Sequence, residues 1–379
     1  MRPLLLPVGR VGCAMRGSFK VATIAGTEVR IHLTFLILLV FVALHGLSRG
    51  GGAAGALDAV LFISAMFLCV LLHEFGHVFA ARGYGIRTPD ITLLPIGGVA
   101  RLERMPRTPA HELVVAVCGP LVNVGIAALI FLGLGLRPDL DPANFRFEQS
   151  GHFWEKLLLW NLLMVAFNLV PAFPMDGGRV LRALLAMAVD YGRATRWAAT
   201  IGQGIALSVV LWMLLGGIPF QPILLLIAFF IFMAAGQEAA SVAETEATRG
   251  LRVRDAMMTE FHVLPADAVL GDAVVRLLAG SQHDFPVMDG GGELLGLLSR
   301  QRLIEGLAKH GSLHRVAGLA EDCPESLEPA ARLTEALERL RATSCPMLPV
   351  FDPSTGRLVG LLTAENVAEV LMVRAALGR

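Results

Sequence analysis

His73-Glu74-Phe75-Gly76-His77 sets two imidazoles four residues apart with a carboxylate between them. On a helix, residues four apart share a face, so the two rings lie side by side. Two imidazole nitrogens at that spacing suit a tetrahedral Zn²⁺, which takes such ligands at about 2.0–2.1 Å. Glu74 faces the open coordination position and is placed to take a proton from water held there. A third protein ligand is needed to leave one position open. Asp176 is the candidate, for one zinc per chain. It lies in the stretch Asn168 to Arg179, where Pro171 and Pro174 remove backbone donors and end any regular helix. The alternative for Asp176 is a helix N-cap, because Gly177 to Asp190 is amphipathic.

These groups sit in a strongly apolar chain. Its 379 residues are 55% hydrophobic and only 17% charged, with a mean hydropathy of +0.63. This composition belongs to a multi-span membrane protein with a polar attachment, embedded in the lipid bilayer. A histidine pair and a carboxylate are expensive in hydrocarbon, so their presence there marks a functional site. The formal net charge is zero, which implies no nucleic-acid partner. Cys13, Cys69, Cys118, Cys323 and Cys345 are odd in number and unpaired in spacing, and read as free thiols. The first residues lack a signal-peptide core, and Met15-Arg16-Gly17 reads as an alternative start.

Six segments reach the roughly 20 residues a bilayer requires: 32–48, 57–82, 109–136, 153–173, 197–216 and 220–238. Gly119, Pro120 and Asn123 make the third an irregular or kinked span. Arg and Lys concentrate in the N-terminal part (Arg2, Arg10, Arg16, Lys20, Arg30) and in the loops after segments two and four. The positive-inside rule then puts both termini in the cytoplasm of a multi-pass protein of the cell membrane. It also puts His77, about 9 Å from the end of segment two, and Asp176 in the same cytoplasmic third of the bilayer. Asp90 to Val99 is β-branched and broken by glycine, unlike its neighbours. It reads as a strand or re-entrant hairpin in which Ile91 and Leu93 present a substrate through main-chain hydrogen bonds.

Beyond Gln237 an Ala/Glu/Thr-rich linker leads to a polar tail with an internal repeat. Phe285 to Asp289, a Gly turn and Leu294 to Ser299 match Leu348 to Asp352, a Pro-Ser-Thr-Gly turn and Leu358 to Thr363. Each copy reads as strand, turn, strand and helix, with another helix upstream (about 268–279 and 328–342).

The combination of H-E-x-x-H in the second span, G-P-x-x-N at Gly119 to Asn123 and N-x-x-P-x-x-P-x-D-G from Asn168 to Gly177 resembles the site-2 protease family. These are intramembrane zinc metalloproteases, and the likeness is to the prokaryotic branch with C-terminal cystathionine-β-synthase-type (CBS) domains. The resemblance implies that His73, His77 and Asp176 bind zinc, that Glu74 is the general base and that Asn168 lies near the metal and holds the substrate backbone. Asn123 either lines the same cleft or is a buried polar residue satisfied by a helix carbonyl. The tail repeat resembles a tandem CBS pair, which implies an adenine nucleotide bound between its halves, or else a dimerisation or docking module that makes a homodimer. The ribose-contacting pattern, Ser/Thr followed three residues later by Asp, is altered. Ser299 is followed by Arg302, which suits phosphate only, and Thr363 by Asn366, which can still accept.

The expected fold is an α-helical polytopic membrane protein of about six transmembrane helices with a short membrane-associated β segment, joined to a C-terminal α/β tandem CBS domain. Expected boundaries are a cytoplasmic segment 1–31, a transmembrane zinc peptidase domain 32–238, a linker 239–251, and CBS domains 252–310 and 315–375. The expected activity is regulated intramembrane proteolysis, the cleavage of a single-span membrane protein. By family resemblance the substrate is an anti-sigma or pro-sigma factor. The rivals are a CBS-regulated channel or transporter, which predicts further polar spans, and a non-catalytic membrane-helix-binding protein, against which intact Glu74 argues. His111-Glu112 echoes the motif but has Val115 where the second histidine would stand. His32 and His45 read as span-end residues, and His262, His283, His310 and His314 lie in the polar tail with no ligand spacing.

Overall fold

A computed structural model describes residues 17–48, 52–95, 97–103, 106, 108–134, 153–323, 325–343 and 345–377. Cys13, the alternative start at Met15 and the loop between spans three and four lie outside the described residues. The chain divides into two compact units, Met1–Ala240 and Ser241–Arg379.

The first unit opens with a hairpin that the sequence reading passed over. Strand β1 (Ser18–Ile24) pairs antiparallel with β2 (Thr27–His32). The turn is Ala25-Gly26, both with positive φ (49° and 80°), as a two-residue hairpin with the strands' own twist requires. Helix α1 (Leu33–Gly46) follows, with His32 accepting from the Thr34 N–H at its start. Helix α2 (Gly52–Gly83) spans 32 residues and carries the H-E-x-x-H motif near its C-terminal end. Strands β3 (Asp90–Leu94) and β4 (Gly97–Arg101) form the expected hairpin, but join the first one in a four-stranded sheet of order β1-β2-β3-β4.

Helices α3 (Pro109–Leu134), α4 (Phe153–Asn168), α5 (Asp176–Ala186), α6 (Tyr191–Leu214) and α7 (Pro222–Ala247) complete the unit. Among the described residues four helices, α2, α3, α6 and α7, are long and apolar enough to cross a membrane. Two further expected spans are shorter helices among the described residues: α1 has 14 residues and α4 has 16. At 1.5 Å per residue these reach about 21 and 24 Å, less than a hydrocarbon core of about 30 Å. Span three is one helix, α3, with Pro120 inside it. The expected linker is helical as far as Ala247, the end of α7; its Ala and Glu residues are strong helix formers.

The second unit contains β5 (Leu264–Pro265), α8 (Leu270–Ala279), β6 (Phe285–Met288), β7 (Leu294–Leu298), α9 (Arg300–His310), α10 (Leu333–Ala342), β8 (Met347–Phe351), β9 (Leu358–Thr363) and α11 (Ala364–Ala376). The two repeat hairpins, β6–β7 and β8–β9, are antiparallel in equivalent register. The segments ahead of each repeat exchange partners. Met258, upstream of the first, bridges to Leu361 of the second, while Glu321, upstream of the second, bridges to Leu297 of the first. Each half packs its own apolar core, one around Phe285, Val287 and Leu298 and the other around Leu348, Val350 and Leu362. Leu297, Met347 and Leu361 join them at the middle. Cys323 and Cys345 are not free thiols: they are paired as a disulfide with Cα atoms 6.1 Å apart. Folding brought together two cysteines 22 residues apart, a spacing that carried no signal.

Candidate metal centre

Two helices supply three buried donor groups to one point. His73 and His77 project from one face of α2, and Asp176 is the first residue of α5. The Nε2 atoms of the histidines are 3.1 Å apart, and Asp176 Oδ2 lies 3.2 Å from one and 3.1 Å from the other. Among the described residues this is the group of His, Cys, Asp and Glu side chains that could hold a metal ion. Asp176 is not a cap, because Met175 takes the N-cap position. Its second oxygen, Oδ1, is 3.7 Å from Arg179 Nη1, one turn along α5.

The opposite sides of the imidazoles fix which nitrogen faces the centre. His77 Nδ1 donates to the Val115 carbonyl at 2.7 Å. His73 Nδ1 donates to Asn123 Oδ1 at 2.6 Å. Asn123 in turn donates to Asn161 Oδ1 at 2.8 Å, and Asn161 donates to the Leu157 carbonyl at 2.8 Å. Both Nδ1 atoms are thereby committed as donors, which leaves both Nε2 lone pairs for a metal. Between the rings and α3 sits Gly119, where any Cβ would overlap Nε2 of both histidines. A donor set of two imidazole nitrogens and one carboxylate oxygen, with a glycine keeping its flank clear, fits a zinc ion with an open position.

Asn123 thus stands behind His73, fully buried, bonded to His73 and Asn161. Ile91 and Leu93 are also corrected. They lie in β3, whose two edges are taken by β2 and β4, and both side chains are buried. No further strand can add to β3; the outer strands of the sheet are β1 and β4. Gly98 of β4 lies against Glu74, so that a Cβ there would come 2.8 Å from Glu74 Cγ. Asn168 ends α4 and is half-buried. Sequence reasoning missed Asn161, although a lone Asn inside an apolar helix was a usable signal. The Val115 carbonyl was invisible, since any residue supplies one.

In the second unit Thr363 and Asn366 line a cavity of about 400 Å³ with Met258, Asp284 and Met347. Ser299 and Arg302 line another, of about 730 Å³, with Asp284, Glu321 and Pro346. Ser299 caps α9, and Arg302 is ion-paired with Glu321. Thr363 donates to Asn366 Oδ1 at 2.5 Å.

The family model of peptidase family M50 matches residues 61–139 and 142–212, and that of the CBS domain matches 253–309 and 319–373. Zinc metalloprotease MJ0392 of Methanocaldococcus jannaschii is 31% identical over 359 residues, covering 95% of this chain and 97% of its own. The Mycobacterium tuberculosis protein Rip3 is 30% identical over 376 residues, covering 95% and 94%. A solved site-2 protease from Methanocaldococcus jannaschii aligns over 59% of this chain and 95% of its own, with 34% identity and a TM-score of 0.42. The chain belongs to peptidase family M50, the site-2 protease type of intramembrane zinc metalloprotease, with a tandem pair of CBS domains at its C-terminal end.

Proposed function

We propose that the enzyme cleaves a single-span membrane protein near the cytoplasmic end of its transmembrane segment, with His73, His77 and Asp176 as zinc ligands and Glu74 as general base. The convergence of three buried donor atoms beside Glu74, with β4 lying over that carboxylate, carries this reading. Zinc, when bound, supplies a Lewis acid for the scissile carbonyl and makes water a nucleophile near neutral pH. Glu74 takes the proton from the attacking water and delivers it to the leaving nitrogen. A membrane helix hides its carbonyls in internal hydrogen bonds, so it must unwind to be attacked. The outer edge of β4 offers the unwound stretch replacement main-chain partners. Asn168, at the end of α4, holds the substrate backbone on the other side.

The Arg-rich N-terminal part and loops support a multi-pass arrangement with both termini cytoplasmic. A cytosolic fragment of a membrane-held regulator, of the anti-sigma or pro-sigma kind, is then the product. In the tail, Thr363 and Asn366 contact an adenine nucleotide, and the Ser299 cavity is the weaker of the two because Glu321 already occupies Arg302. Thermal shift with millimolar ATP, ADP and AMP tests this; no shift would favour a docking or dimerising module.

The deciding experiment measures zinc per chain in detergent-purified protein. Wild type and Glu74→Gln hold about one zinc and His77→Ala none, while only wild type cleaves a membrane-protein reporter. A well-folded wild type without zinc would sink the assignment.

A further inference from the structure

The largest fully buried side chain among the described residues is a cation. Arg182 of α5 is 0% exposed. Its Nε donates to Glu112 Oε1 at 2.8 Å and its Nη1 to Glu238 Oε1 at 2.6 Å. The rings of Phe173 and Tyr191 both lie 5.0 Å from its Cζ. Each partner belongs to a different part of the framework: Glu112 to α3, Phe173 to the turn leading into Asp176, Tyr191 to the start of α6, and Glu238 to α7.

Glu112 also begins a row on α3. Glu112, Val115, Gly119 and Asn123 recur at spacings of three and four, so they share one helix face. Val115 holds His77, Gly119 backs both rings and Asn123 holds His73. Arg182 lies six residues along α5 from Asp176, about 9 Å. The guanidinium therefore ties the helix that carries the carboxylate to the helix that orients both imidazoles.

We propose that Arg182 is a positioning residue of the metal centre, fixing Asp176 against the α3 row through Glu112 and Glu238. This rests on the zinc reading given above. A buried ion pair is a poor source of stability, since well-packed apolar residues of similar volume often serve as well. Its distinct property is direction. A planar guanidinium with fixed donors accepts few arrangements of α3 against α5, whereas apolar packing tolerates sliding. Zinc binding needs three donor atoms held to fractions of an ångström. The Glu238 arm is the weaker one, because its side chain is 38% exposed while that of Glu112 is 2% exposed.

The test compares zinc affinity, by chelator competition on the full chain in detergent, with thermal unfolding of the zinc-free protein. Arg182→Lys, which keeps the charge, binds zinc about tenfold more weakly, the loss typical of groups behind metal ligands, with zinc-free unfolding near that of wild type. The paired substitution Glu112→Leu/Arg182→Met guards against misfolding from an unpaired charge and shows the same loss. Glu238→Gln shows a smaller one, about two- to fivefold, as for a partly exposed pair. Unchanged zinc affinity in these folded variants, or a loss matched by equal zinc-free destabilisation, overturns the positioning role. A wild type that binds no zinc removes the metal assignment itself, and this inference with it.

Discussion

The two units bury opposite kinds of residue. Of the thirteen buried polar or charged side chains among the described residues, twelve lie in the first unit and only Thr248 in the second. The first unit exposes Phe41, Leu132, Leu215, Ile223 and Phe229, while its interior holds His73, His77, Asp176, Asn123, Asn161, Glu112 and Arg182. The tail reverses this: its cores are apolar and its charges exposed. The surrounding medium explains the contrast. Lipid gives no hydrophobic gain for hiding an apolar face and makes an unsatisfied polar group costly. Seven of the buried polar groups in the membrane unit gather at the candidate metal centre and the Arg182 cluster. In water the tail folds by removing apolar surface and leaves its charged residues outside its cores.

Four substitutions break or sharpen this contrast. Glu74→Gln should lower cleavage about a thousandfold, the scale of a general base, with zinc content unchanged; reporter proteolysis with metal analysis checks it. Leu298→Ala removes a fully buried side chain from the tail and should cost about 2–5 kcal/mol. Denaturant unfolding of the full chain reads that loss, and zinc stoichiometry should stay at its wild-type value. Asn123→Ala leaves His73 Nδ1 without its acceptor and should weaken zinc binding about ten- to a hundredfold, measured by chelator competition. A buried polar contact in the membrane unit then governs chemistry, whereas an apolar one in the tail governs stability. Lys20→Ala, at an exposed ion pair with Glu28, should change stability by less than about 1 kcal/mol.

Much of the centre was legible in the chain itself. His73, Glu74 and His77 are local: helical geometry alone puts a four-residue spacing on one face, whatever surrounds it. The tail hairpins were legible because alternating apolar residues and a turn specify a hairpin locally. The β1–β2 hairpin carries only a weak local signal, since Ala25 at positive φ is an unusual turn residue. The disulfide of Cys323 and Cys345 escaped because nothing in a 22-residue spacing announces it.

Tertiary structure decided what no local pattern contains. Asp176 could have been a cap until its carboxylate was found between two imidazoles, with Met175 in the cap position. Ile91 and Leu93 look like a docking strand in one dimension, and only the order β1-β2-β3-β4 makes them interior. Asn123, Asn161, the Val115 carbonyl and the Glu112–Arg182–Glu238 cluster acquire meaning through packing between helices far apart in the chain. The sequence by itself determined residue chemistry and short-range periodicity, because these follow from covalent structure and backbone geometry. The partners of each buried polar group were decided by the fold, because desolvation forces such groups to pair with whatever neighbours packing supplies.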